Sequence, residues 1–169
     1  MNELDASRRE ESVVPGALVT FSIDGAAFGI PVERVHEVIR VDAITRVPHA
    51  PPRLRGLATF RGRLIPVIEL AAVLGRPSVA ITRESRIVTV AVAGRLLGLL
   101  VERATAVIGL SGGVSRAVGA MTEQAGVGGA AGDAPAAAHD LPPELVTWQG
   151  TWYGRPLRVL DVDRIAEAS

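Results

Sequence analysis

The chain has 169 residues, 48% of them apolar, with three Phe, two Trp and one Tyr as its only aromatic side chains. Lys plus Arg and Asp plus Glu number 18 each, so the formal net charge is zero, which argues against a broad sequence-independent attraction to nucleic acid. There is no cysteine, hence no disulfide framework and no thiolate nucleophile or metal ligand.

Residues 1–16 are polar and charged, contain no apolar stretch of the kind a signal peptide needs, and read as a disordered tail ending at Pro15-Gly16. Residues 18–23 alternate and are rich in strand formers. Asp24-Gly25 then supplies a hairpin turn, because both of its central positions need positive φ. Residues 28–30 return as a strand, in which Gly29 marks a bulge or a barrel corner. Pro31 suits the first position of a helix, and Val32, Val35, Val38 and Ile39 form an apolar stripe at helical spacing, with Glu33 and Glu37 opposite it. Pro48, Pro51 and Pro52 mark an irregular connector. Residues 57–60 and 64–70 make a hairpin about Arg61-Gly62, and 71–74 make one helical turn that stops at Gly75.

The remainder follows the same plan. Residues 87–92 and 96–100 read as strands about a Gly94-Arg95 turn, and 101–108 as a helix with Val101, Ala104, Val107 and Ile108 inward. Arg95, Glu102 and Arg103 interrupt the most apolar stretch, 87–110, so it is not a membrane span and the chain is expected to be soluble and cytoplasmic. Residues 111–140 are dominated by Gly and Ala and read as a flexible insertion. Strands and turns resume at Leu145, and 162–168 form a short terminal helix.

The correspondence goes down to single residues. Gly25, Gly29, Glu33, Arg34 and Ile39 fall on Gly94, Gly98, Glu102, Arg103 and Ile108 at one offset (94 − 25 = 69). The segment Arg61-Gly62-Arg63 through Val67-Ile68-Glu69-Leu70 falls on Tyr153-Gly154-Arg155 through Val159-Leu160-Asp161-Val162 at another (154 − 62 = 92). The chain therefore holds two copies of one small unit, approximately 17–80 and 85–168, within a single domain over 17–168. Many short strands with Gly turns predict small barrels in place of a parallel sheet, and each copy is too small to be stable without the other.

Enzyme-like signals fail on context. Gly109-Leu-Ser111-Gly-Gly113 matches a nucleophile elbow, but it enters the Gly/Ala-rich insertion and lacks a histidine partner. Gly126-Val-Gly128-Gly129 has no strand before it and no Lys-Ser/Thr after it. His36, His49 and His139 are scattered without metal-ligand spacing. No catalytic residue, metal site or cofactor is expected. Comparison of the copies is more informative: inward positions match, whereas Glu37 faces Ala106 and Arg61 faces Tyr153 in the alignment, so only the first copy presents an acidic face and a basic hairpin tip.

Gly29-Ile30, Glu37, Thr45-Arg-Val-Pro-His-Ala-Pro51, Arg55-Gly-Leu57, Phe60-Arg-Gly62 and Ile65-Pro-Val-Ile-Glu-Leu70, in this order, resemble the CheW-like domain, as do Gly94–Glu102 in the second half and Val159-Leu-Asp-Val162 in the last strand. The resemblance covers about residues 17–110 and 142–167. It implies two SH3-like five-stranded β-barrels sharing an apolar core, in a mainly β fold with short helices. It also implies an adaptor linking the cytoplasmic tip of a chemoreceptor to the regulatory domain of a histidine kinase in chemotaxis or a related pilus, gliding or non-motility pathway. The alternative class, a generic SH3-like peptide-binding module, predicts an aromatic-lined groove, and this chain has few aromatic side chains. Its implied partner-binding residues match Val35, Glu37, Arg61 and Gly62. Phe60 and Glu102 depart from the usual leucine and aspartate of that family, and the 111–140 insertion is longer than usual.

Overall fold

The computed structural model describes residues 16–111, 114–117, 141–152 and 155–168. The expected tail and nearly all of the expected insertion thus lie outside the described residues.

Eleven strands are described: β1 (Ala17–Ile23), β2 (Ala26–Pro31), β3 (Val35–Arg40), β4 (Leu54–Phe60), β5 (Arg63–Glu69), β6 (Arg86–Val92), β7 (Arg95–Val101), β8 (Arg103–Ser111), β9 (Val114–Ala117), β10 (Val146–Trp152) and β11 (Arg155–Leu160). Two short helices, α1 (Leu70–Val73) and α2 (Val162–Glu167), follow β5 and β11. The turns are those their residues demand. Asp24 and Gly25 take φ of 50° and 72°, and Arg61 and Gly62 take 47° and 75°, the left-handed pair of a two-residue hairpin. Gly75, at φ 67°, ends α1. The third hairpin turns on Ala93-Gly94, one residue earlier than expected.

Both expected amphipathic helices are strands. Only Val32–Arg34 is helical, as a single 3₁₀ turn, before the chain extends into β3. Residues 103–111 form β8. The cause is a β-bulge. In β3 the partner register steps from Val35↔Val90 to Glu37↔Thr89, leaving His36 as the extra residue. A bulge resets the inside–outside alternation, so Val35 and Val38 both face one core and Ile39 another. Apolar residues three apart then share a face, as they would on a helix. β8 carries the same slip, between Ala104↔Phe21 and Ala106↔Thr20. β-branched Val35, Val38, Ile39, Val107 and Ile108 suit the extended conformation.

The strands form two sheets, ordered β10-β11-β2-β1-β8-β9 and β3-β6-β7-β5-β4. Each sheet mixes the copies. The first pairs β1 and β2 of copy one with β8, β10 and β11 of copy two; the second pairs β6 and β7 of copy two with β3, β4 and β5 of copy one. Registers repeat with the sequence offsets. Ile39↔Ile87 corresponds to Ile108↔Leu18, and the parallel pair Val67↔Gly98 corresponds to Val159↔Gly29. Even a side-chain bond is duplicated. The Thr89 hydroxyl donates to the Glu37 carbonyl at 2.8 Å, and the Thr20 hydroxyl to the Ala106 carbonyl at 3.0 Å.

Three apolar cores result. Ala58, Val67, Ile87 and Leu100, with Ile39, come from all five strands of the second sheet, as when a sheet rolls around its own interior. Leu18, Ile108, Leu157 and Val159, with Ala27 and the two tryptophans Trp148 and Trp152, come likewise from five of the six strands of the first. The largest core lies between the sheets and includes Phe21, Phe28, Ile68, Leu70, Val88, Leu99, Leu160 and Ile165. The expected pair of rolled five-stranded units over a shared apolar core is thus present, with β9 as a sixth strand on one of them.

Candidate partner-contact site

β3 and β4 are the two outermost strands of the second sheet, and its curl brings them together. Two contacts join them at the rim. The Arg61 guanidinium, at the β4–β5 turn, donates to a carboxylate oxygen of Glu37 on β3 at 2.7 Å. The His36 ring stands edge-on to the Phe60 ring, with centroids 5.8 Å apart. Phe60 is buried, and Arg61 folds back over it with its guanidinium carbon 5.4 Å from the ring centroid. The Arg61 side chain nonetheless stays 69% exposed and that of Glu37 39%. The rim thus presents a paired carboxylate and guanidinium on an aromatic base, held by a left-handed turn in which Gly62 is exposed.

Of the four residues singled out from the sequence, the structure gathers Glu37, Arg61 and Gly62 at this rim. Val35, on the same strand, is half-buried and packs against the core between the sheets. Glu37 stands on an extended strand and not on a helix face. His36 and Phe60 belong to the cluster but were not singled out. Phe60 precedes the turn, where its aromatic side chain was the available signal; His36 becomes visible only once the bulge is known.

The pseudo-equivalent rim of the other sheet cannot repeat the ion pair. Ala106 replaces Glu37 and offers no carboxylate, although its backbone accepts the equivalent threonine hydroxyl. Tyr153, aligned with Arg61, lies outside the described residues.

Two carboxylates elsewhere act on the fold. Glu69 is buried and accepts from Arg55 at 3.2 Å, from the Val79 amide at 3.2 Å and from the Ser78 hydroxyl. Its counterpart Asp161 caps α2 by accepting from the amides of Asp163 and Arg164. Glu69, one methylene longer, makes no side-chain cap to α1 and instead fastens the connector that follows it. Ser111 ends β8, which leads to β9, not into the helix that a nucleophile elbow requires. His49 lies in the proline-rich connector, and His139 and the 126–129 glycines lie outside the described residues. Among the described residues no group of three or more His, Asp or Glu could hold a metal ion, and no helix is long and apolar enough to cross a membrane.

Comparison with known proteins agrees with this architecture. The chain is similar to chemotaxis protein CheW of Bacillus subtilis, 33% identical over 91 residues that cover 54% of this chain and 58% of that protein. It is 23% identical to CheW of Klebsiella aerogenes over 86% of this chain and 78% of that one. Protein PilI of Pseudomonas aeruginosa is 28% identical over 56% of this chain and 53% of its own. The chain thus spans little more than half the length of the Bacillus and Pseudomonas relatives it matches. The fold resembles the crystal structure of the scaffolding protein TtCheW from Thermoanaerobacter tengcongensis, with a TM-score of 0.69 and 22% identity over 90% of this chain and 88% of that one. The family model of the CheW-like domain matches residues 17–169, and this chain belongs to that family.

Proposed function

We propose that this chain is a non-enzymatic adaptor that couples chemoreceptors to a histidine kinase in bacterial chemosensory signalling. The observation that carries the reading is the Glu37–Arg61 pair: a nearly duplicated molecule keeps matching cores and bonds in both halves, yet among the described residues it presents a paired charge rim on one sheet only. Homologous positions that packing would leave free to match have diverged where a partner would touch. In this reading Glu37, Arg61 and Gly62 meet the partners directly, and Val35 holds the strand that carries Glu37. The partners are the cytoplasmic tip of a chemoreceptor and the regulatory domain of the kinase, and the chain works in the cytoplasm at receptor arrays without a cofactor.

Such an adaptor does no chemistry. Holding two partners at once raises the effective concentration of each for the other. A change in the receptor alters the kinase only if the assembly binds the two receptor states differently. The test is affinity capture from native cytoplasm with the whole chain as bait. Recovery of a histidine kinase together with a chemoreceptor is expected, and recovery of neither would end the proposal. The similarity to PilI favours one second reading, service in a pilus pathway, which the identity of the captured kinase would decide.

A further inference from the structure

Two arginines face each other across the β3–β6 ladder. Arg40, the last residue of β3, stands directly opposite Arg86, the first residue of β6. Residues so opposed share one face of the sheet with their Cβ atoms about 5 Å apart, and like charges there repel. Arg40 is exposed and Arg86 half-buried, and neither joins an ion pair among the described residues. The neighbours supply no counter-charge. On its other side Arg86 adjoins Val101 of β7. Glu84 is taken by Arg103, and Asp42, two residues past Arg40, pairs with neither arginine. The Arg86 side chain is nonetheless fixed: its Nη1 donates to the carbonyls of Arg83 at 2.7 Å and Ser85 at 2.8 Å.

The internal repeat supplies a control. At the offset of 69 (109 − 40 and 86 − 17), this rung falls on Gly109 and Ala17, which pair with each other in the other sheet. Folding therefore does not require arginine on either strand here. Two opposed guanidiniums cost stability until an anion lies between them.

We infer that Arg40 and Arg86 form a binding site for a phosphoryl dianion, carried by free phosphate or by the terminal phosphate of a nucleotide. A carboxylate carries one charge and is satisfied by one guanidinium fork, whereas a phosphoryl group carries nearly two charges and three acceptor oxygens and so matches two forks. Strand alternation places Arg40 with Val38, which faces the core between the sheets, and Glu37 with Ile39, which faces the interior of the rolled sheet. The site thus lies on the other face of β3 from the Glu37–Arg61 pair, and it does not depend on the coupling role proposed above.

The experiment titrates the full chain with inorganic phosphate and, separately, with adenosine diphosphate without a divalent cation. Ionic strength is held constant with chloride, and binding is read by calorimetry and by thermal unfolding. Saturable one-to-one binding is expected, with a rise in melting temperature of about 3 °C at a tenfold excess of ligand over its dissociation constant. Arg40→Gln is expected to weaken binding about tenfold or more, through loss of charge-assisted hydrogen bonds. In chloride alone the same variant should melt slightly above the parent chain, because the like-charge contact is relieved. Phosphate also stabilises folded chains in general by exclusion from their surface. Arg95→Gln, at an exposed arginine that starts β7, controls for this and should respond as the parent does. Phosphate binding as tightly as the nucleotide assigns the site to free phosphate, and tighter nucleotide binding assigns it to a nucleotide; both support the proposal. Absence of saturable binding by either anion overturns it, as does equal affinity in Arg40→Gln. An Arg40→Gln chain that melts below the parent in chloride would also overturn it, since Arg40 would then serve the fold.

Discussion

Glu37 sits on β3, one outermost strand of a sheet, and Arg61 in the turn that ends β4, the other outermost strand, and their side chains meet at 2.7 Å. The pair is therefore a clasp across the seam of a rolled sheet as well as a charged feature of its rim. Both groups are well exposed, so the clasp contributes no more than ~1 kcal/mol to stability. Close by, Thr45 on the connector exchanges two backbone hydrogen bonds with Leu57, both 2.8 Å, and holds the seam independently of charge.

Reversal of either charge should accordingly separate stability from binding. Glu37→Lys places two cations at the rim and Arg61→Glu two anions. Each is expected to lower the denaturant-derived stability by less than about 1 kcal/mol, yet to abolish or sharply weaken capture of the receptor or the kinase. The exchanged double variant, Glu37→Arg with Arg61→Glu, rebuilds the pair with its polarity inverted. It should recover the lost stability without recovering binding, because a partner reads which charge stands where. Full recovery of binding by the exchange would mean that the clasp only shapes the rim.

Gly98 and Gly29 occupy equivalent places on β7 and β2 but differ in the space around them. A Cβ on Gly98 would lie 2.5 Å from Ile87 Cγ2, with Ile65 and Val67 at 3.5 Å behind it. A Cβ on Gly29 would lie 3.1 Å from Leu18 Cδ1, the far end of a flexible side chain. Gly98→Ala should destabilise by roughly 1–3 kcal/mol, the range for overpacking a filled core, and Gly29→Ala by distinctly less. Urea denaturation of the two variants measures the difference, and equal losses would show that the two interiors are equally tight.

Much of this architecture could be read before any coordinates, for a local reason. Hairpins at Asp24-Gly25 and Arg61-Gly62 announce themselves through residues that tolerate positive φ, and the stop of α1 through Gly75. Copy comparison led to Glu37 and Arg61 because divergence is visible residue by residue. Two features were hidden. A bulge at His36 converts alternation into a spacing of three, so β3 imitates a helical stripe. The exchange of strands between copies is a matter of long-range pairing, and an offset of 69 or 92 says which segments correspond without saying which copy they join. Gly56 illustrates both points. Its φ of 149° and the close approach of the Thr45 carbonyl explain the glycine only after the connector is seen crossing it; its counterpart in the other copy is Trp148, whose ring packs over Gly150.

Arg76 offers a test of buried charge. Its side chain is 1% exposed, lies 5.5 Å over the Phe28 ring and donates to the Asp24 carboxylate at 3.2 Å. Asp24 itself is 41% exposed and occupies the left-handed turn, further held by its amide donating to Glu102 at 2.9 Å. Asp24→Asn keeps a residue suited to positive φ but removes the only anion bonded to a buried guanidinium among the described residues. The expected cost is about 2–4 kcal/mol, because the stranded charge cannot reach water. Arg76→Met removes the charge and keeps most of the packing volume, and should cost less. Thermal unfolding of both variants checks the order, and a larger loss from Arg76→Met would show that packing on Phe28, not charge, dominates.

The exchange of strands leads to the last prediction. Neither sheet can be built from one copy: β1 and β2 pair onward with β8 and β11, while β3 and β5 pair with β6 and β7. A fragment of residues 1–82 would leave the partner edges of β2, β3 and β5 open and expose Phe21, Phe28, Ile68 and Leu70 from the shared core. Such a piece cannot bury enough apolar surface to offset its chain entropy. Each half alone should therefore give the circular dichroism of an unfolded or aggregating chain. Mixed or co-expressed, the halves should recover native-like strand content and a cooperative melt in a one-to-one complex. A cooperatively folded single half would contradict the observed pairing, since that half would have to satisfy its strand edges by pairs absent from this fold.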